Sequence, residues 1–151
     1  MKFLSALILL LAFNTGWACS CMKIASIEDA IERMPILVEA QVVSLNQAPT
    51  ISATLNVKRV LKGKVSSDAI TVEHWMCYVS LFPDMMEVGH TYVLPLGAPT
   101  DGRYGMATCS HSGMELVGDK LYTFEITNNS GGRKRQFHAK YSNFVRQFVS
   151  K

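Results

Sequence analysis

Hydrophobic and polar residues alternate along most of the chain, which is the pattern of half-buried β-strands. Gly, Pro and Asn residues separate the alternating segments at the spacing typical of an all-β barrel or sandwich. Within the second segment the apolar face passes from Leu55 and Val57 to Val60 and Leu61, which indicates a slip of one residue. The first strand has an apolar face made of Ile36, Val38, Ala40 and Val42. The pattern predicts six strands, at 36–45, 52–61, 69–76, 91–96, 103–110 and 121–127.

Two segments follow the helical period instead. Ser26 can cap a short helix with acidic residues in its first turn, and Pro35 ends it. Its core-facing residues are Ile27, Ala30, Ile31 and Met34. An amphipathic helix is predicted over 136–149, with a stripe that packs on the barrel and contains Phe137, Tyr141, Phe144, Val145, Phe148 and Val149. A helix lying on a membrane surface is the alternative for this segment.

The first 18 residues have the features of a signal peptide. Lys2 is the positive end, residues 3–13 are apolar, and Gly16 and Ala18 are small residues before the cleavage point. The apolar run is shorter than the roughly 20 residues that a membrane-spanning helix needs. Cleavage after Ala18 leaves residues 19–151, which we expect to form one domain of a secreted or periplasmic protein.

Charge and motifs exclude several functions. The formal net charge of the whole chain is only +3, which does not favour nucleic acid as a partner. Its one basic cluster, Arg133-Lys134-Arg135, follows Asn, Ser and Gly residues and is interpreted as a solvated loop. The sequence contains no nucleophile elbow, zinc-protease helix or phosphate-binding loop. We therefore expect neither an enzyme nor a bound cofactor.

Four cysteines in an exported chain indicate two disulfides. They are Cys19, Cys21, Cys77 and Cys109, and three pairings are possible. A bridge between Cys19 and Cys21 would close a very tight ring, so two long-range bridges are favoured. Cleavage after Ala18 makes Cys19 the mature N-terminus, where it is either lipidated, purely structural, or held so that its free α-amine can bind a metal.

The order of these features resembles the N-terminal netrin-like domain of the tissue inhibitors of metalloproteinases. The signal peptide is followed directly by Cys19-Ser20-Cys21 and a short helix, and a strand–turn–strand unit ends in Leu61-Lys62-Gly63. The next strand runs into Trp75-Met76-Cys77. Residues 91–97 match the family's apolar strand before a glycine, and 107–110 match its Thr-Cys-Ser segment. The resemblance covers residues 19–127.

The resemblance implies an OB-fold-like barrel of five to six strands, with a short N-terminal helix, a C-terminal amphipathic helix and the disulfides Cys19–Cys77 and Cys21–Cys109. In the family, the α-amine and carbonyl of the first cysteine chelate the catalytic zinc of a metalloproteinase, and Cys19 is expected to do the same as part of a monomeric inhibitor. Ser20 would enter the specificity pocket of the protease. The other residues implied in the contact are Cys21, Met22 and Lys23 along the cleft, with His74, Trp75 and Met76 beside it.

Two other interpretations remain open. This chain lacks the family's third disulfide, which leaves room for the wider netrin-like group. One is a netrin-like adaptor that binds an envelope partner without inhibiting a protease. Another is an exported copper-binding protein, because thioether and imidazole ligands suit copper. Its candidate ligands are His74, Met76, Met85, Met86, His90, His111 and Met114. Membrane attachment is expected only if Cys19 is lipidated.

Overall fold

The computed structural model describes residues 26–46, 51–74, 86–106, 113–126 and 133–149. The predicted signal peptide lies outside this part of the chain. The described elements are, in chain order, α1 (Ile27–Arg33), β1 (Ile36–Asn46), β2 (Ser52–Lys62), β3 (Ala69–His74), β4 (Thr91–Thr100), β5 (Arg103–Met106), β6 (Met114–Val117), β7 (Lys120–Ile126), β8 (Arg133–Lys140) and α2 (Tyr141–Val149).

Five of the strands close into a barrel. Neighbouring strands follow the order β1-β2-β3-β5-β4, and β4 pairs back onto β1. The β3–β5 pair is parallel, whereas the other pairs of the barrel are antiparallel. This closure leaves no free edge in the barrel itself, and it confirms the predicted OB-fold-like architecture with a helix near each end of the described chain.

Alternate residues of the barrel strands fill its interior, as the sequence pattern predicted. The four predicted residues of the β1 face are all buried, as are Ala53, Leu55 and Val57 of β2. The predicted slip in β2 is confirmed, because the β1–β2 register shifts between Glu39 and Ala40. After this irregularity Val60 is 39% exposed, while Leu61 packs against a second apolar cluster.

That second cluster lies outside the barrel, between the sheet and the helices. Strands β6, β7 and β8 extend the sheet from β4 in an antiparallel meander. Their inner face, with Met114 and Leu121, packs with Val93 of β4, with α1 and with Phe144 of α2. The predicted core face of α1 is confirmed, since Ile27, Ala30 and Ile31 are buried and Met34 packs against the same cluster. The two helices therefore cover one face of the extended sheet.

The C-terminal segment corrects three sequence predictions. Residues 133–140 form strand β8, so Arg133-Lys134-Arg135 is not a loop and α2 begins at Tyr141 rather than near residue 136. Pairing with β7 satisfies the backbone of this segment, which overrides its helical hydrophobic period. The start of α2 is fixed by the β6–β7 turn, because both carboxylate oxygens of Asp119 accept hydrogen bonds from Ser142. Phe137, predicted in the core, is 55% exposed.

Two further differences concern strands. β4 continues through Pro95 to Thr100 instead of ending at 96. The pairing of β4 with β6 ends at Val93, and its pairing with β5 begins at Leu96. Pro95 lies between these two positions, so neither β6 nor β5 requires the amide proton that proline lacks. Strand β6 was not predicted, because its four residues are too few to show a period.

Tyr141 joins α2 to the barrel. Its hydroxyl donates a hydrogen bond to the carboxylate of Glu39 on β1. Burial raises the pKa of Tyr141 well above its ordinary value near 10, and the hydrogen bond and charge of Glu39 raise it further. The folded protein therefore holds this proton more tightly than the unfolded chain does.

Because the pKa of Tyr141 is raised in the folded state, we expect the protein to be less stable in alkaline solution. An unfolded tyrosine releases its proton near pH 10, whereas folded Tyr141 keeps it, so the free energy of unfolding should fall as the pH rises above about 10. Tyr141→Phe should remove this part of the slope and cost about 1 kcal/mol at neutral pH. Urea unfolding at a series of pH values measures both effects. Tyr122→Phe is the control, and an equal loss of slope in that variant would contradict the assignment to Tyr141.

Candidate functional site

The parallel pair of β3 and β5 is the feature of the barrel that bears most directly on the cysteines. Its register places Thr71 opposite Arg103 and His74 opposite Met106. Both strands run in the same direction, so their final described residues leave the barrel side by side. Cys77 follows His74 by three residues, and Cys109 follows Met106 by three. The segments that lead to Cys77 and Cys109 thus begin next to each other. Each cysteine is three residues beyond the last described residue of its strand.

The ends of this strand pair are firmly held. Val72 and Met106 are buried in the barrel core. Tyr104 is 1% exposed, and its hydroxyl accepts a hydrogen bond of 3.0 Å from the backbone nitrogen of Ser66. An ion pair between Glu73 and Arg103 links the two strands on the outer side. These contacts fix the β3–β5 pair, from which the segments leading to Cys77 and Cys109 continue.

Helix α1 anchors the chain that follows the N-terminal cysteines. Ser26, three residues after Lys23, caps the helix by accepting a 3.2 Å hydrogen bond from the backbone nitrogen of Asp29. At the other end, Lys62 Nζ donates hydrogen bonds of 2.7–2.9 Å to the carbonyls of Ile31, Glu32 and Met34. Both ends of α1 are therefore satisfied, and the helix is fixed against the sheet.

The motif Leu61-Lys62-Gly63 has a structural role here. Leu61 packs against the second cluster, and Lys62 caps α1. Gly63 has φ +76°, and a Cβ at this position would lie 2.5 Å from the carbonyl oxygen of Pro35. Only glycine combines this backbone conformation with so close an approach. The motif therefore joins the end of β2 to the end of α1.

Most of the predicted site residues lie outside the described part of the chain. His74 is the last residue of β3, and its backbone pairs with Met106. The predicted disulfides and the contacts with a protease stay predictions. Those outside are Cys19, Ser20, Cys21, Met22, Lys23, Trp75, Met76, Cys77 and Cys109.

The structure also shows a polar cluster that the sequence did not predict. Glu115 on β6 is a charged residue between apolar neighbours in the sequence, and its side chain is only 1% exposed. His90 Nδ1 lies 2.7 Å from its Oε1, and Arg135 Nη2 lies 2.9 Å from both of its carboxylate oxygens. His90 Nε2 is also 3.4 Å from Glu87 Oε2. Because β6 is too short to show a period, nothing in the sequence indicated that His90 and Arg135 would enclose Glu115.

Three of the described candidates for a copper site do not come together. Met86 belongs to the barrel core, Met114 belongs to the second cluster, and His90 contacts Glu115. Within the described ranges, no group of three or more His, Cys, Asp or Glu side chains is arranged to hold a metal ion. Met76, Met85 and His111 lie outside those ranges.

Comparison with known proteins adds no assignment. No family model, no curated protein and no solved structure matches this chain. Among the described residues, neither helix reaches the length and apolar content that crossing a membrane requires.

Proposed function

We propose that this protein is a secreted or periplasmic inhibitor of zinc metalloproteinases, similar to the tissue inhibitors of metalloproteinases. The observation that carries the proposal is the parallel β3–β5 pair, in which His74 and Met106 share one register position. Cys77 and Cys109 follow these residues at equal spacing. Two anchors that start side by side suit a short N-terminal segment held by two disulfides.

The proposed disulfides Cys19–Cys77 and Cys21–Cys109 would hold the mature N-terminus on the strand ends. Pinning this segment before binding reduces the conformational entropy lost when it enters a protease. The cap at Ser26 supports the same segment from the other side, because it fixes the chain three residues after Lys23. The segment Cys19 to Lys23 would then be a rigid ridge between a barrel and a helix.

The ridge would act through its terminal backbone. A catalytic zinc keeps one coordination position for water or substrate, and the α-amine and carbonyl of Cys19 would displace that water as a bidentate ligand. An α-amine has an ordinary pKa near 8, so zinc can bind it without its proton near neutral pH. Ser20 would enter the specificity pocket, while Met22 and Lys23 would follow the cleft. His74, Trp75 and Met76, at and beyond the end of β3, would contact the protease beside the ridge.

A second candidate function is a netrin-like adaptor that binds an envelope partner through its surface. It is favoured by Phe137, Val88 and Val43, which are 55%, 58% and 52% exposed. Such a protein would bind without blocking an active site. Chemistry at the N-terminus separates the two functions, because only the inhibitor needs a free α-amine on Cys19.

Adding one alanine before Cys19 is therefore expected to abolish inhibition. The extension moves the α-amine away from the zinc, and we expect the inhibition constant to rise at least about 100-fold, or about 2.7 kcal/mol. The measurement is a titration of the mature protein against a panel of zinc endopeptidases. The matched control adds one alanine after Lys151, which changes the mass equally and should leave inhibition unchanged.

Intact mass before and after reduction checks that the tested protein has the required terminus. A chain that begins at Cys19 and gains four hydrogens on reduction has both disulfides and a free α-amine. Acyl chains on Cys19, or inhibition that survives the N-terminal alanine, would contradict zinc chelation. A correctly processed protein that inhibits no enzyme of the panel but still binds envelope proteins would favour the adaptor.

A further inference from the structure

Strand β8 forms an edge of the extended sheet. Of the described strands, it pairs with β7 alone. One row of its backbone NH and CO groups therefore has no strand partner among the described residues. The exposed side chains of β8 include Arg135, Gln136, Phe137 and Lys140. An exposed strand edge of eight residues can accept another strand unless something prevents it.

The two faces of β8 offer different chemistry. Ala139 pairs with Leu121, so it belongs to the inner face that meets the helices. Phe137 pairs with Tyr122 on the outer face, and their rings make an edge-to-face contact at 6.1 Å. Arg135 and Lys140 lie on this outer face as well, given the register shift beside Tyr122. The outer face is thus basic and aromatic.

A groove lies beside the inner face of β8. It has a volume of about 610 Å³ and lies between β8, α1, α2 and the end of β2. Its apolar surface comes from Ile31, Leu61, Ala139, Phe144 and Phe148. Glu28 and Glu32 of α1 also line it, and Glu28 Oε1 is 3.5 Å from Nε2 of His138 on β8. A strand added to β8 would place alternate side chains in this groove and the others on the outer face.

Charge decides which partner suits this edge. β8 contains Arg133, Lys134, Arg135 and Lys140 and no acidic residue. Lys140 is also opposite Lys120 of β7, which adds to the positive charge at this end of the strand. A second copy of β8 in antiparallel pairing would place Arg133 opposite Lys140, and like charges in cross-strand pairs are destabilising. An acidic partner is favoured instead.

We propose that the β8 edge binds an extended segment of a partner protein in which apolar and acidic residues alternate. The segment would pair with β8 as an additional strand. Its apolar residues would enter the groove, and its acidic residues would face Lys140 and the exposed side of Arg135, whose side chain is 46% exposed although it contacts Glu115. The opposite arrangement is less favourable, because it would bring the acidic residues toward Glu28 and Glu32. The basic residues of the groove, Lys62 and His138, already contact carbonyls of α1 and Glu28, respectively. This proposal does not depend on protease inhibition, because β8 is separated from β3 and β5 in the sheet by three other strands.

The test uses the mature protein and a synthetic peptide of alternating valine and glutamate, matched to the eight residues of β8. Calorimetry should show binding, and hydrogen exchange should show slower exchange of β8 amides in the complex. Lys140→Glu should weaken binding at least about fivefold, because it reverses a charge that faces the peptide. It should not unfold the protein, since it replaces a pair of like charges with an opposite pair.

Lys120→Glu is the matched control, because it changes the same cross-strand pair and the same net charge but lies on β7. It should weaken binding less than about twofold. A peptide with glutamine in place of glutamate should bind more weakly and lose its dependence on Lys140. Two peptides N-methylated at opposite sets of alternate residues should differ, because only one set of amides faces β8.

Several results would overturn the proposal. One is the absence of peptide binding by the folded protein. Others are equal effects of Lys140→Glu and Lys120→Glu, or binding without slower exchange in β8. A concentration-dependent dimer that protects the same amides would assign the edge to a second copy. Protease inhibition is measured in a separate assay. A failure of peptide binding therefore does not contradict the inhibitor proposal, and a failure of inhibition does not contradict peptide binding at β8.

Discussion

Gly63→Ala is expected to lower the free energy of unfolding by about 3 kcal/mol. Two costs add at this position. The backbone has φ +76°, which a residue with a Cβ adopts at a cost of about 1 kcal/mol. The new Cβ would also lie 2.5 Å from the carbonyl oxygen of Pro35, and this atom belongs to the backbone between α1 and β1. The chain can relieve that clash only by moving the end of β2 away from Pro35.

Gly102→Ala is the matched control for this prediction. Gly102 has the same φ of +76°, but a Cβ added there would have no atom within 4 Å of it outside the neighbouring residues. It should therefore lose only about 1 kcal/mol, and the difference between the two variants measures the steric cost at Gly63. Chemical denaturation of both variants gives these values. Equal losses would show that the close approach to Pro35 contributes nothing.

Arg135→Met is expected to destabilise the fold by about 3 kcal/mol, because it removes a cation from a carboxylate that stays buried. Glu115 is 1% exposed, and the guanidinium of Arg135 is 2.9 Å from both of its oxygens. His90, with Nδ1 2.7 Å from Oε1, is left as the contact of this carboxylate. An incompletely compensated buried charge is more costly than the loss of the attraction itself.

A second substitution tests this explanation. Glu115→Leu in the Arg135→Met background removes the buried charge and should restore most of the lost stability. Glu87→Ala is the control for the same cluster, because Glu87 contacts His90 with a side chain that is 54% exposed and should change stability by less than about 1 kcal/mol. If the double variant is less stable than Arg135→Met alone, packing around Glu115 rather than its charge explains the loss.

Local periodicity was sufficient for much of the fold. The cap at Ser26, the apolar residues of α1 and the stop at Pro35 all act within a few residues of one another, so they appear in the sequence as they do in the structure. The buried face of β1 follows from simple alternation. Even the slip in β2 left a visible mark, because an extra residue moves the apolar positions to the other parity.

The candidate ridge is predicted from local features of the sequence, namely an expected cleavage site followed by Cys19-Ser20-Cys21. What could not be read there is that the segments leading to Cys77 and Cys109 start as neighbours. This depends on the parallel pairing of β3 with β5, which are separated along the chain by β4. The buried setting of Glu115 likewise depends on His90 and Arg135 arriving from distant elements.

The C-terminal segment shows the limit most clearly. Residues 133–149 carry a helical period over most of their length, yet only 141–149 form a helix, because 133–140 gain a strand partner in β7. The sequence by itself determined the elements whose caps, stops and apolar faces are local: α1, β1, β2 and the strand character of the chain. Only the tertiary structure decided the closure of the barrel, the side-by-side exits of β3 and β5, the enclosure of Glu115 and the position of β8 at the edge of the described sheet, because each of these depends on contacts between residues far apart in the chain.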